Sequence, residues 1–280
     1  MSDEPSIQPP SLSVSIVVYR ADLRVLRNTL NTLQQAIVQA QKAAVLGAVS
    51  IELINNGDAC PALTDVLQTQ EIAPAQNLRL LEGHGNLGYG RGHNLSILPS
   101  RADFHLILNP DVLLSPDALL QGVRFLQEHA AVVAVSPAVS NADGSKQYAC
   151  KRYPSVCDFL LRGFAPASVK ARFSRRLAHY EMRDLPEDHA STAIPIISGC
   201  CMLFRTPALH ALQGFEPAYF LYFEDFDLSL RAHEQGELAY LPNMRIQHLG
   251  GHSARKGLRH IGFFVRSGVR FYNTHGWRFL

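Results

Sequence analysis

Short apolar runs alternate with longer segments of helical spacing in the first half of the chain. In residues 23–42, leucine or isoleucine recurs every three or four positions, which predicts an amphipathic helix. The short runs are rich in β-branched residues, as is typical of buried strands. Strands are predicted at 14–19, 49–54, 78–81, 104–108 and 132–135, and further helices at 61–70 and 116–129. This alternation predicts a parallel sheet covered by helices on both faces.

The pattern changes after residue 141. Residues 145–190 are basic and aromatic without a clear period, which predicts an irregular insertion. Strands are predicted again within 194–204, and helices at 207–212 and 225–235, the last ended by a glycine. Residues 1–12 contain three prolines and few apolar side chains, so a flexible lead is expected there.

Composition describes a globular protein, with 47% hydrophobic and 18% charged residues. No apolar run reaches the roughly 18 residues of a membrane span, and the polar, acidic N-terminus does not read as a secretory signal. The five cysteines form no CxxC pair, which favours reduced thiols in a cytoplasmic protein.

The net charge of +2 conceals two basic regions without acids, five Lys/Arg in 159–180 and six in 254–280. Either could be a solvated basic face. The second region also carries interleaved aromatic residues, a composition typical of contact with a membrane surface. No nucleic-acid-binding motif accompanies either region, so no nucleic-acid partner is expected.

Three carboxylates, Glu224, Asp225 and Asp227, follow an aromatic run in the segment 220–231. Acids beside so much apolar surface are usually paired, bound to metal or used chemically. The alternative is that they complement the dipole at the start of the predicted helix.

A further acid, Asp111, follows the predicted strand 104–108 in the turn Asn109-Pro110-Asp111. Proline ends the strand there, and ligands of open α/β sheets gather at such strand ends. A carboxylate at this place suits Mg²⁺ or Mn²⁺, while the alternative is a turn aspartate before the next helix.

The glycine-rich segment 83–94 contains a GxGxxG pattern at Gly83, Gly85 and Gly88. This pattern suggests a dinucleotide-binding site, but such a fingerprint should open the first βαβ unit, and here two strand–helix units precede it. Glycine also lets the backbone approach any other ligand closely, and Arg91 supplies positive charge.

Together these motifs resemble glycosyltransferase family 2, in the branch that includes rhamnosyltransferases of cell-surface polysaccharide assembly. The matching segments occur in family order at 14–19, 55–56, 86–94, 108–111, 198–200, 214–215, 220–231 and 248–253. Each is weak alone, whereas their order and spacing are specific.

The resemblance implies an α/β, GT-A-like (Rossmann-like) fold with a mostly parallel central sheet flanked by helices and a helical basic C-terminal extension. It implies an inverting, metal-dependent hexosyltransferase that moves a sugar, expected to be L-rhamnose from dTDP-rhamnose, to a glycan or lipid-linked acceptor. The expected parts are a lead at 1–12, a glycosyltransferase domain at 13–253 with a nucleotide-sugar half (13–115) and an acceptor half (116–253), and an extension at 254–280. The enzyme is expected in the cytoplasm, peripheral at the inner face of the membrane.

The resemblance also assigns roles to residues. Asp225 would be the general base, Glu224 would orient the acceptor or Asp225, and Asp227 would serve the helix N-terminus. Asp111 and His248 would hold a divalent cation, Mg²⁺ or Mn²⁺, with His252 and Ser253 as weaker candidates. The nucleotide-sugar would be bound by Tyr19, Asn55, Asn56, Asn86, Gly88, Arg91 and Asn109.

The sequence departs from the family pattern at two of these positions. Asn55 stands where the family usually has an aspartate near the nucleotide base, so contacts to the base are expected to differ. Asn109 stands at the first carboxylate of the general Asp-x-Asp pattern, a replacement common in this branch. Of the adjacent pair, Asn56 is expected to stabilise the turn rather than the ligand.

Two other functions stay open from the sequence. A sugar-phosphate nucleotidyltransferase would need a glycine- and basic-rich phosphate loop after the first strand, and residues 19–22 do not provide one. A catalytically silent glycan-binding protein of the same fold would not need the acids at Asp111, Glu224 and Asp225.

Overall fold

A computed structural model describes residues 8–20, 22–69, 76–250 and 258–280. The predicted sites His252 and Ser253, residues 1–7 of the expected lead and residues 254–257 of the expected extension lie outside the described residues.

The first half of the chain alternates strands and helices as predicted. It contains β1 (Leu12–Val18), α1 (Leu23–Lys42), β2 (Val49–Asn55), α2 (Pro61–Gln68), β3 (Gln76–Leu81), α3 (Tyr89–Ile97), β4 (Phe104–Leu108), β5 (Val112–Leu114) and α4 (Ala118–Glu128). Helix α1 begins after Asp22, whose carboxylate accepts a hydrogen bond from the Arg24 amide at 2.9 Å and so caps the helix.

The second half contains shorter elements. They are β6 (Val132–Ser140), β7 (Lys146–Gln147), β8 (Cys150–Lys151), α5 (Val156–Phe164), α6 (Ala167–Arg172), α7 (Ser174–Tyr180), β9 (Ile196–Ile197), β10 (Cys201–Arg205), α8 (Thr206–Ala211), α9 (Glu224–Ala232), β11 (Glu237–His248) and α10 (Leu258–His275). The prediction of an irregular 145–190 is wrong, because three helices lie there. The three helices are only six to nine residues long, and α6 buries no side chain, so the apolar pattern over 145–190 is short and interrupted.

The main sheet is mixed, in the order β3-β2-β1-β4-β10-β6-β11-β5, with β7 added to β6. Strands β3, β2, β1 and β4 are parallel, as are β6 and β11. Strand β10 is antiparallel to both β4 and β6, and β5 is antiparallel to β11. The β11–β5 pairing places the end of β11 beside the turn that follows β4, because His248 pairs with Val112.

Two apolar layers cover the sheet, and a third cluster holds the C-terminal helix. Helices α1 and α4 pack in one layer, and α3, α8 and α9 contribute to the other. Aromatic residues Tyr219, Phe223, Phe271 and Tyr272 join α10 to the segment before α9. None of the described helices is both long and apolar enough to cross a bilayer.

Candidate active site

Three loops meet at the carboxyl end of β4. The Asn109 amide donates a hydrogen bond to the Cys200 carbonyl at 2.9 Å. The Tyr89 hydroxyl, on the first turn of α3, donates to the Gly199 carbonyl at 2.5 Å and lies 3.0 Å from Asn109 Oδ1. Tyr89 therefore joins the glycine-rich segment, the turn after β4 and the Ser198–Cys200 loop into one wall.

The glycine-rich segment is docked on the loop before α9. Gly88 has φ +86°, and a Cβ there would lie 2.1 Å from the Phe220 carbonyl oxygen. The Tyr89 amide donates to that same oxygen at 3.0 Å, and Asn86 Oδ1 accepts from the Gly88 amide at 3.0 Å. Only glycine fits this conformation and this close approach. Gly88 therefore shapes the site through its backbone.

The side chains of Asn55 and Asn56 bond to different segments. The Asn55 side chain holds its own turn, accepting from the Gly57 amide and donating to the Asp58 carbonyl, both at 2.9 Å. Asn56 Nδ2 instead donates to the Gly88 carbonyl at 2.7 Å, so this residue braces the glycine-rich segment. The expectation that Asn56 stabilises the turn is wrong, because its side chain points across to that segment.

Two other candidates for the nucleotide-sugar are exposed. Tyr19 follows β1, and the Arg20 guanidinium lies 5.4 Å from the centroid of its ring. Arg91 lies on the first turn of α3. Both side chains are open to solvent at the loops where ligands of α/β sheets gather.

Asp111 and His248, distant in sequence, are brought together by the β11–β5 pairing. Asp111 Oδ1 lies 3.3 Å from His248 Nε2, and Asn109 Nδ2 lies 3.5 Å from the same nitrogen. His248 Nδ1 lies 3.2 Å from Gln147 Oε1. An amide oxygen only accepts, so Nδ1 donates to it, and the neutral ring keeps a lone pair on Nε2.

This pair suits a divalent cation. Asp111 Oδ1 is buried and accepts no hydrogen bond within the described part of the chain, as an oxygen kept for a cation would be. No group of three or more His, Cys, Asp or Glu side chains that could hold a metal occurs among the described residues. Mg²⁺ and Mn²⁺ sites of nucleotide enzymes commonly use one or two protein ligands, the rest coming from phosphates and water.

The acids Glu224 and Asp225 open helix α9 after a strained turn. Tyr222 and Phe223 both adopt left-handed backbone conformations, at φ +70° and +67°. Such conformations cost on the order of 1–3 kcal/mol each for bulky residues and cluster at functional sites. Asp225 Oδ2 accepts from the Gly199 amide at 2.9 Å and Oδ1 from the Phe226 amide at 3.0 Å.

The environment separates the protonation states of the two acids. Burial, reinforced by the Asp225 charge, raises the Glu224 pKa from 4.5 to about 8. Glu224 Oε2 is buried without a hydrogen-bond partner among the described residues. Burial also raises the Asp225 pKa, but its two amide hydrogen bonds favour the charged form. One proton shared by the pair therefore lies on Glu224, and Asp225 is the carboxylate.

Asp227 lies in the first turn of α9, where an acid complements the helix dipole as expected, and it also has a second role. Its carboxylate is buried, with Oδ2 accepting from Arg231 Nε and Oδ1 from His275 Nε2, both at 2.8 Å. Since His275 lies near the end of α10, Asp227 attaches that helix to α9. The sequence did not indicate this attachment, because His275 lies 48 residues away.

A cavity of about 920 Å³ extends from the two acids to His248. Asn109, His248, Glu224 and Asp225 all line it, and so do residues of α5 and α10. A second cavity of about 370 Å³ adjoins it, sharing Arg162, Ser198, Asp225 and Phe226. The other candidate residues line neither cavity: Tyr19, Asn55, Asn56, Asn86, Gly88, Arg91 and Asp111.

Three residues of this site were not singled out from the sequence. Tyr89 and Gly199 lie inside motifs that were recognised, so their motif membership was the available signal. Gln147, which orients His248, belongs to a two-residue strand and gives no signal of its own.

Comparison with known proteins places the chain among sugar transferases. The sequence profile described as "Glycosyltransferase like family 2" matches residues 9–262. The N-acetylglucosaminyl-diphospho-decaprenol L-rhamnosyltransferase of Mycobacterium tuberculosis is 30% identical over 220 residues, which cover 73% of this chain and 68% of that protein. Rhamnosyltransferase WbbL of Escherichia coli strain K12 is 25% identical over 180 residues, 61% of this chain and 64% of that protein.

Solved structures share the fold at low identity. GalNAc-T7 with UDP, GalNAc and Mn²⁺ superposes with a TM-score of 0.65 at 12% identity, covering 96% of this chain but 48% of that one. The mannosyltransferase PcManGT from Pyrobaculum calidifontis, with GDP-Man and Mn²⁺, gives 0.57 at 17% identity, covering 88% of this chain and 59% of that one. The GT-A-like fold expected from the sequence is confirmed. This chain spans about half the length of the GalNAc-T7 chain.

Proposed function

This chain belongs to glycosyltransferase family 2, and we propose that it transfers L-rhamnose from dTDP-rhamnose, with inversion, to a glycan or lipid-linked acceptor of cell-surface polysaccharide synthesis. The observation that supports this most is the cavity lined by both Asp225 and His248, whose Nε2 lies 3.3 Å from Asp111 Oδ1. Rhamnose as the sugar and a lipid diphosphate as the acceptor follow the names of the mycobacterial and E. coli relatives.

Asp225 acts as the general base. Inverting transfer needs one carboxylate on the face opposite the leaving group, to take the proton of the acceptor hydroxyl as it attacks. Asp225 lines the cavity as an anion held by two amide hydrogen bonds. Protonated Glu224 lies beside it and donates to the acceptor rather than competing for its proton.

Asp111 and His248 would hold the divalent cation, with Gln147 orienting the imidazole. When bound, the cation neutralises the negative charge of the departing nucleoside diphosphate. Asn109 lies beside both residues and contributes a neutral amide where the general pattern has a carboxylate. Tyr19, Asn56, Asn86, Gly88 and Arg91 form or brace the side of the site that receives the nucleotide.

Residues 13–115 form the nucleotide-sugar half and residues 116–253 the acceptor half of one domain, with the C-terminal helix α10 as an extension. The exposed basic residues of α10 (Arg259, Arg266 and Arg270) follow one face of that helix, which brings the enzyme to the membrane surface that carries its acceptor.

Donor screening tests the proposal. Melting temperatures are measured with dTDP-, UDP- and GDP-sugars, each with and without Mn²⁺. A donor at about 100 times its Kd stabilises the native state by about 2.7 kcal/mol. We expect the largest rise with dTDP-rhamnose and Mn²⁺, and a product anomer opposite to that of the donor by NMR. Stabilisation only by a nucleoside triphosphate with a sugar phosphate would indicate a nucleotidyltransferase instead.

A further inference from the structure

The larger cavity continues outward from the acids as an apolar groove between α5 and α10. Among the described residues, five of the twelve exposed large apolar side chains line it: Leu160, Ile261, Val265, Val269 and Trp277. Three of them recur at every fourth position of α10 and so form one stripe. Such a concentration on one concave surface indicates a binding site rather than scattered surface residues.

The groove meets the second cavity at its inner end, which is lined by Lys146, Lys151 and Arg162 and by the carboxylates Glu181 and Asp225. Lys151 is only 8% exposed, and its ammonium donates to the neutral Tyr148 carbonyl. Within the described chain, Lys151 forms no ion pair. The nearby carboxylate of Glu181 is already taken by Arg162 at 3.0 Å and by Arg183 at 2.6 Å.

A buried ammonium without a counter-ion is costly. Burial and the charge of Arg162 lower the pKa of Lys151 to about 8. An anion bound beside Lys151 and Arg162 would supply the missing negative charge. The two cavities are continuous at this point, since Arg162 and Asp225 line both.

We propose that this surface binds the prenyl diphosphate part of the acceptor, the diphosphate at Lys151 and Arg162 and the isoprenoid chain in the α5–α10 groove. The proposal rests on the proposed function, because it places the acceptor sugar at Asp225. The groove is concave and continuous with the acids, which suits a single chain of a bound substrate.

The fluorescence of Trp277 can report binding at this site. Trp277 is the single tryptophan, and it lines the groove. Its emission is recorded while the full chain is titrated with farnesyl diphosphate, with farnesol and with inorganic diphosphate, all in detergent-free buffer. We expect a saturable change with farnesyl diphosphate at a concentration at least tenfold lower than with either half alone. An equal response to inorganic diphosphate, or no saturable response to farnesyl diphosphate, would overturn the proposal.

Variants separate the two halves of the ligand. Leu160→Asp places a charge in the groove, and Lys151→Met removes the buried ammonium. Each is expected to weaken farnesyl diphosphate binding at least tenfold. The matched control is Leu98→Asp, because Leu98 is 50% exposed, close to the 55% of Leu160, and lines neither cavity. Melting curves show whether each variant folds. Should Lys151→Met fail to fold, Leu160→Asp alone decides, and unchanged binding by it would overturn the proposal.

Two further measurements distinguish this proposal from membrane contact and from the proposed donor site. Anionic phospholipid vesicles that change Trp277 emission when farnesyl diphosphate does not would indicate a membrane contact and overturn it. Calorimetry with dTDP-rhamnose and Mn²⁺ on the same preparations tests the donor site separately. Farnesyl diphosphate binding without donor binding would support this site while refuting the proposed donor.

Discussion

Replacing Glu224 by glutamine is expected to remove a pH-dependent loss of stability. The folded chain holds the Glu224 pKa at about 8, against 4.5 for the ordinary side chain. Between these two values the folded state binds more protons than the unfolded state, so the free energy of unfolding falls as pH rises. The contribution is fully present below the unfolded pKa and is lost as pH rises through the folded pKa. Glutamine has the same shape but does not titrate.

The size of the effect follows from the pKa. At about 1.36 kcal/mol per pKa unit, the rise of the Glu224 pKa from 4.5 to about 8 corresponds to about 5 kcal/mol in the free energy of unfolding. About 2.5 kcal/mol of it falls between about pH 6 and about pH 8. For a chain of this length, about 1 kcal/mol moves the melting temperature by about 2–4 °C. The wild type should therefore lose about 5–10 °C relative to Glu224→Gln over that range.

Thermal melts of the two proteins at both pH values measure this difference. Glu234→Gln is the matched control, because Glu234 is an exposed glutamate just beyond the end of α9. Its melting temperature should follow that of the wild type at both pH values. If the melting temperatures of the wild type and Glu224→Gln changed equally between the two pH values, the assignment of the shared proton to Glu224 would be refuted.

Three other substitutions test the framework of the site. Gly88→Ala should destabilise the fold by at least about 3 kcal/mol, since its Cβ would meet backbone 2.1 Å away; urea melts measure this. His248→Ala should weaken Mn²⁺-dependent donor binding by about 10–100-fold in calorimetry, as losses around metal ligands commonly do. Asp227→Asn should destabilise by about 3 kcal/mol, because the half-buried Arg231 and His275 lose their buried carboxylate, and it should speed hydrogen exchange in α10.

Each of these substitutions has its own control. Gly85→Ala also has positive φ, but no atom lies within 4 Å of its Cβ, so it should cost only about 1 kcal/mol. Equal losses for Gly85→Ala and Gly88→Ala would contradict the packing argument. If His248→Ala bound the donor with Mn²⁺ as tightly as the wild type does, the metal-ligand role of His248 would be refuted. Unchanged hydrogen exchange in α10 after Asp227→Asn would mean that the aromatic cluster alone holds that helix.

The repeating part of the fold was predictable because its signals are local. Helix α1 and strand β4 have the predicted bounds, since each has a regular apolar pattern that ends at polar residues or proline. Strand β11 gives no such signal. Its pairing with β6 shifts register between Leu241 and Arg245, which breaks the alternation of inward and outward side chains.

The parts of the site that sequence reasoning misplaced depend on distant partners. Asn55 and Asn56 are adjacent amides, and only the position of Gly88 shows that Asn56 faces the glycine-rich segment. The link from Asp227 to α10 gave no sequence signal, because its partner His275 lies on another helix. The meeting of Asp111 and His248 was expected only through the family resemblance, and the β11–β5 register gives its physical cause.

The central claim is that Asp225 is the base of a sugar transfer. The most direct measurement compares wild type and Asp225→Asn in two assays, the affinity for dTDP-rhamnose with Mn²⁺ and the transfer rate to a synthetic N-acetylglucosaminyl diphosphate lipid. Asparagine keeps the shape of the side chain but cannot take a proton. We expect donor affinity within about twofold and a transfer rate lower by about 10²–10⁴-fold, the usual contribution of a general base. Transfer by Asp225→Asn at close to the wild-type rate would contradict the claim.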